Sequence, residues 1–269
     1  MSAVPVRTGL LFAAAGTTCP AAVGAFDCIS RAAAARFPEV GQKWTYTSSG
    51  VRRKLVSQGC AIPDPKQALT AMEEEGFTHV AVLSLHLSDG MEFGELAETV
   101  AAFEARKGRL GHLAVGRPLL TSEKNAARAI AAVLAGLPAT PAADDAVVLV
   151  AHGSNEPDAV RTLQAAVSLS RRIDRRLFMG MMLGFPSLGE VLQECRDAGV
   201  QRAWLVPLMI AAGYSARDDL AGAGAGSWKS RFEEAGIQSV PVLKGLGEYE
   251  GVVDVWMDQA DELLKALKA

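Results

Sequence analysis

A run of aliphatic residues that ends in glycine occurs twice in this chain, and the repetition restricts the fold to two related halves. The copies are Leu10-Leu-Phe-Ala-Ala-Ala-Gly-Thr17 and Val147-Val-Leu-Val-Ala-His-Gly-Ser154, with Ala15 in the place of His152. Further on, Glu75 to Gly90 aligns without a gap on Ala198 to Gly213, which pairs Gly76 with Gly199, Gly90 with Gly213 and Glu92 with Ser215. A third pair sets His112 to Leu120 against Ser239 to Gly247. Continuous apolar runs are the mark of strands buried on both faces, as in parallel sheets. Each half reads strand, long helical stretch, strand, helix, strand, helix, the order of a parallel sheet with right-handed crossovers. The expectation is an α/β protein of two similar Rossmann-like lobes, each a parallel sheet flanked by helices, with a cleft between them.

The Pro-, Ala- and Asp-rich segment from Gly136 to Asp145 is the most linker-like stretch and precedes the second copy. It divides the chain into an N-terminal lobe of residues 1–140 and a C-terminal lobe of residues 141–269. At 269 residues and 49% hydrophobic content the chain can fill two cores. A net charge of −3 gives no reason to expect nucleic acid as a partner. No stretch reaches the ~18 uninterrupted apolar residues of a membrane span, so no membrane partner is expected. Homo-oligomerisation is left open by the sequence.

Arg7 followed by the apolar run from Gly9 to Gly16 has the look of a secretion signal, but its internal copy is a strand, so it reads as the first strand of a cytoplasmic protein. Cys19, Cys28, Cys60 and Cys195 are scattered without a C-x-x-C pair, as expected of reduced and mostly buried thiols. Helices are expected from Pro65 to Gly76, from Ser187 to Gly199 and from Val252 to Leu267 on capping residues and apolar spacing.

Ligand sites in open α/β sheets lie beyond the carboxyl ends of the strands. His79 and His112 stand at strand starts and read as structural. His86 and His152 stand at strand ends, and His86 is followed by Asp89 and Glu92 in Leu85-His-Leu-Ser-Asp-Gly-Met-Glu-Phe93. Imidazole with carboxylate suits a borderline divalent metal. A histidine hydrogen-bonded beneath its loop is an equal reading of His86.

These segments, with Ala15-Gly-Thr17, Tyr46-Thr-Ser-Ser-Gly-Val-Arg-Arg-Lys-Leu55, Val206-Pro-Leu-Met-Ile-Ala-Ala-Gly213, Gly226-Ser-Trp-Lys-Ser-Arg-Phe232 and Gly245-Leu-Gly-Glu248, resemble the anaerobic-type sirohydrochlorin cobaltochelatases of the class II chelatase superfamily. The resemblance covers nearly the whole chain. It implies Co²⁺ as a substrate metal, no permanently bound cofactor, and a polycarboxylate tetrapyrrole, sirohydrochlorin or a relative, as substrate in anaerobic cobalamin synthesis. It places a metal-holding histidine at His152, a second histidine where this chain has Tyr214-Ser215, and a glutamate at Leu183. Leucine cannot coordinate a metal, and a neutral hydroxyl is a poor replacement for imidazole. Glu92 is retained and is expected to face His152 as ligand or base.

Three functions remain open: a chelatase using His152 and Glu92, a tetrapyrrole-binding or carrier paralogue with weak or lost insertion, and a bilobal small-molecule binder. A polycarboxylate substrate calls for cations and open helix starts. Arg52, Arg53 and Lys54 after a helix start at residues 47–50, and Arg217, Lys229 and Arg231 in the second lobe, are candidates. Gly16, Thr17, His86, Tyr214 and Ser215 complete the expected substrate-binding set. Ala221 to Gly226 reads as a glycine-rich loop over the cleft.

Overall fold

In the computed structural model, residues 5–106 and 108–268 are described. The outer ends of the two expected lobes, residues 1–4 and 269, lie outside them. The first half runs β1 (Thr8–Ala14), α1 (Gly24–Arg36), β2 (Gly41–Tyr46), α2 (Ser49–Ser57), α3 (Pro65–Glu74), β3 (His79–Ser84), α4 (Met91–Ala105), β4 (His112–Val115) and α5 (Glu123–Ala135). The second runs β5 (Ala146–Gly153), α6 (Pro157–Ile173), β6 (Leu177–Leu183), α7 (Leu188–Asp197), β7 (Arg202–Leu208), α8 (Trp228–Glu234), β8 (Gln238–Pro241) and α9 (Glu250–Ala266).

Each half builds one four-stranded sheet, ordered β2-β1-β3-β4 and β6-β5-β7-β8, and every neighbouring pair is parallel. Leu10 to Ala14 and Val148 to Val150 have no exposed surface, because these central strands are covered on both faces. The first two internal alignments hold in the hydrogen-bond ladder: Gly9 pairs with Val80, and their counterparts Ala146 and Ala203 pair likewise. The third is one residue out within the strand. His79 pairs with His112 while Arg202, the counterpart of His79, pairs with Gln238 and not Ser239. The expected correspondence returns after the strand, where Leu119 donates to the carbonyl of His86 and Leu246 to that of Met209. Lobe two thus carries one extra residue between these points.

Both sheets contain a strand the three aligned segments do not include, β2 and β6. The chain divides into two compact units, residues 1–18, 29–119 and 254–269 in one, and 19–28 with 120–253 in the other. One sheet falls in each unit, β1–β4 in the first and β5–β8 in the second, while residues 19–28 and α5 group with the second unit and most of α9 with the first.

In the first unit Leu69 and Met72 of α3 and Leu96, Val100 and Phe103 of α4 pack on Leu11, Ala13, Val80 and Val82. Each such side chain contributes about 1.5–3 kcal/mol by leaving water, and Leu96→Ala costs about 2–5 kcal/mol through the cavity it leaves. α3 begins where Asp64 accepts from the Gln67 amide and the Gln67 side chain accepts from the Asp64 amide, a reciprocal cap. In the second unit Val191, Cys195, Trp228 and Phe232 cover Val148, Val150 and Leu205. Gly180 of β6 lies beneath Trp228, whose ring would meet an added Cβ at 2.5 Å. The helix expected at the C-terminus is α9. Of the four free cysteines, Cys19 and Cys195 are buried and Cys60 is exposed, so burial holds for only part of the set. No helix among the described residues is long and apolar enough to cross a membrane.

Candidate functional site

Polar groups gather at the carboxyl ends of the central strands in each unit. In the first, β3 ends at Ser84, the chain passes through buried Leu85, and His86 turns back under the loop that leads to α4. Its Nδ1 lies 2.9 Å from the Ser84 hydroxyl and its Nε2 lies 2.9 Å from Thr47 Oγ1. Thr47 Oγ1 donates to Glu92 Oε2 at 3.0 Å. Because that hydroxyl has a single hydrogen, His86 Nε2–H must donate to Thr47, and Ser84 then donates to the bare Nδ1. All three donors in this chain of hydrogen bonds point toward the Glu92 carboxylate.

Burial supports the same protonation state. Only 9% of the His86 side chain is exposed, and burial pulls its pKa down to about 4. A neutral ring with both nitrogens engaged has no lone pair left for a metal, so His86 supports Glu92 through Thr47. Glu92 is about one-third exposed and occupies the first turn of α4, where the helix dipole favours a carboxylate.

The substrate-binding candidates of the first unit fall around this cluster. Gly16 turns the chain out of β1 at φ +93, and a Cβ there would meet the Tyr46 ring at 2.4 Å, so only glycine fits beside that aromatic. Thr17 follows, half-buried. Arg52 donates to the backbone carbonyls of Tyr46 and Thr47, so its guanidinium anchors the strand end that carries Thr47. Arg53 is exposed, with one long contact of 3.4 Å to Ser49 Oγ.

In the second unit His152 is the penultimate residue of β5 and is exposed. Gly153 follows at φ +85 and pairs with Leu183, whose carbonyl oxygen would stand 1.8 Å from an added Cβ. The strand end that presents His152 is therefore fixed by a glycine. Leu183, Phe185 and Tyr214 are exposed, at 45%, 59% and 48%. Ser215, half-buried, opens a π-helical turn over Ser215–Leu220. This turn is the counterpart of the first turn of α4: Gly94 donates to Gly90 O, and Arg217 donates to Gly213 O, each at 3.0 Å. The basic candidates here are partly occupied, since Lys229 pairs with Glu233 and Arg231 with Glu234, while Arg217 donates to Ala212 O.

Among the described residues no cluster of three or more His, Cys, Asp or Glu side chains has the placement of a metal site. Thr47 and Ser84, which fix the tautomer of His86, were absent from the expected site. Ser84 lies two residues before His86, and the alternation of a strand was the signal available for it.

The cobalt chelatase (CbiK) family model matches residues 8–265. The chain is 38% identical over 261 residues to a sirohydrochlorin cobaltochelatase of Nitratidesulfovibrio vulgaris, covering 97% of this chain and 92% of that one. It is 31% identical over 207 residues to a sirohydrochlorin cobaltochelatase of Salmonella typhimurium, covering 76% and 75%. The sirohydrochlorin chelatase SirB of Bacillus subtilis subspecies spizizenii, solved in complex with cobalt, shares the fold with a TM-score of 0.61 at 16% identity, covering 97% of this chain and 96% of that one. Nearly full-length matches to the family model and to the Nitratidesulfovibrio protein show that the chain belongs to the CbiK cobalt chelatase family.

Proposed function

We propose that this protein inserts Co²⁺ into sirohydrochlorin or a closely related polycarboxylate tetrapyrrole in cobalamin biosynthesis, in the cytoplasm. The observation that carries this reading is the exposed imidazole of His152 at the carboxyl end of the central strand β5, in a chain of the cobalt chelatase family. Insertion requires a ligand that delivers the metal and a base that receives the pyrrole protons. His152 supplies the first through an imidazole nitrogen, the ligand type suited to borderline ions. Glu92 supplies the second as a partly exposed carboxylate, held in place by the Thr47 hydroxyl. Exposed Leu183, Phe185 and Tyr214 offer apolar contact to a macrocycle, and Gly16, Thr17, Arg53 and Ser215 complete the binding set.

A second reading, a tetrapyrrole carrier with weak insertion, is favoured by Leu183 and Ser215 standing where the resemblance places metal ligands. Titration of sirohydrochlorin with and without Co²⁺ separates the two. A spectral shift on binding followed by a cobalt-dependent change in ring absorption supports insertion. Binding without the second change supports the carrier, and neither change rejects both.

A further inference from the structure

The imidazoles of His79 and His112 lie side by side at the amino-terminal end of β3 and β4, the opposite end of β3 from Ser84. They open β3 and β4 as direct partners in the parallel ladder. Their rings stack with centroids 4.3 Å apart and planes at 12°. Five rises separate His79 from Ser84 at the other end of β3, roughly 16 Å at about 3.3 Å each.

His112 is exposed and His79 is half-buried. Thr78 Oγ1 lies 2.9 Å from His79 Nδ1 and also accepts the Arg7 amide at 3.0 Å. With Nδ1 facing that hydroxyl, Nε2 is the nitrogen His79 offers to a ligand. A hydroxyl or carbonyl on the second ring nitrogen is the usual way a metal-binding histidine is oriented. A zinc-sized ion holds imidazole nitrogen at about 2.0–2.1 Å along the in-plane lone pair, and in these nearly parallel rings the two lone pairs do not converge. A chelate therefore requires the His112 ring, exposed at the surface, to rotate out of the stack and turn a ring nitrogen toward His79 Nε2.

We propose that His79 and His112 form a surface chelate for one divalent first-row ion of borderline softness. The ligands are His79 Nε2 and a ring nitrogen of His112, with water completing the coordination. The pair is independent of the chelatase reading and shares no residue with it.

Ni²⁺ serves as the probe, titrated into full-length His152→Ala protein and into the His152→Ala, His112→Gln double variant, with circular dichroism as the folding control. One Ni²⁺ per chain is expected in the first protein, with affinity lower by about tenfold or more in the second. Paramagnetic Ni²⁺ should also broaden the imidazole resonances of His79 and His112 in the first protein while sparing those of His86. Equal affinity in both proteins, or broadening that spares His79 and His112, overturns the proposal. Should the double variant fail to fold, the broadening pattern alone decides.

Discussion

Thr47 donates its hydroxyl hydrogen to Glu92 at 3.0 Å and so forces the neighbouring imidazole of His86 to act as a donor. The strand end after β2 and the first turn of α4 are thereby locked through one buried hydroxyl. Thr47→Val keeps the shape and removes the hydroxyl, leaving His86 Nε2–H buried without a partner. A loss of about 1–3 kcal/mol in unfolding free energy is expected, with near-full recovery in Thr47→Ser. Urea denaturation measures both, and an unchanged midpoint in Thr47→Val would contradict the hydrogen-bond assignment.

The buried neutral state of His86 has a pH signature. Its folded pKa of about 4 lies below the ordinary 6.5, so between these values the unfolded chain binds a proton that the folded chain does not. Stability from this group is complete above pH 6.5 and falls as pH drops toward 4, by about 2–4 kcal/mol in total. His86→Gln removes the titration, so its stability should fall less across that window. A parallel pH dependence in both proteins would place the titrating group elsewhere.

Two glycines with positive φ separate backbone conformation from crowding. Gly199, at φ +66, has open space around it, and Gly199→Ala should cost about 1–2 kcal/mol for the left-handed conformation alone. Gly153→Ala adds a collision with the backbone oxygen of Leu183, which cannot move without disturbing β6. Its cost should exceed that of Gly199→Ala by about 1–3 kcal/mol. Equal thermal shifts would mean the β5 end relaxes freely.

Legibility in the sequence followed burial. β1, β3, β5 and β7 each carry a continuous apolar stretch and are readable in both copies, down to the register of their pairing. β2 escaped because Gly-Gln-Lys-Trp-Thr-Tyr is only half-buried at its first four positions and shows no apolar run. β6 escaped because Leu-Phe-Met-Gly-Met-Met-Leu lacks β-branched residues, its glycine making room for Trp228. Missing β2 also concealed Thr47, which stands just past its end. The places of His152 at a strand end and of Glu92 in a first helical turn are legible because one follows an apolar run and the other opens a helix. The commitment of Arg52 to backbone carbonyls was not, because a guanidinium that anchors a strand end and one that awaits a carboxylate have the same sequence.

The positions where the resemblance calls for a glutamate and a histidine carry exposed Leu183 and half-buried Ser215. Leu183→Glu and Ser215→His should therefore change stability by less than about 0.5 kcal/mol each. Co²⁺ affinity and the insertion rate should rise with Ser215→His and rise again in the pair, since each adds a donor group for a first-row metal ion. Calorimetry of the apo proteins checks the affinity, and no gain in either variant would mean those positions do not approach the metal.

The most direct measurement is the initial rate of Co²⁺ insertion into sirohydrochlorin, followed by ring absorption, for wild type, His152→Ala and Glu92→Gln. A cobalt-dependent rate in wild type that falls by 10²-fold or more in each variant, on the scale of losing a positioned acid–base group, is the expected result. Insertion that proceeds at the wild-type rate without His152 would contradict the assignment of that imidazole as the metal-delivering group.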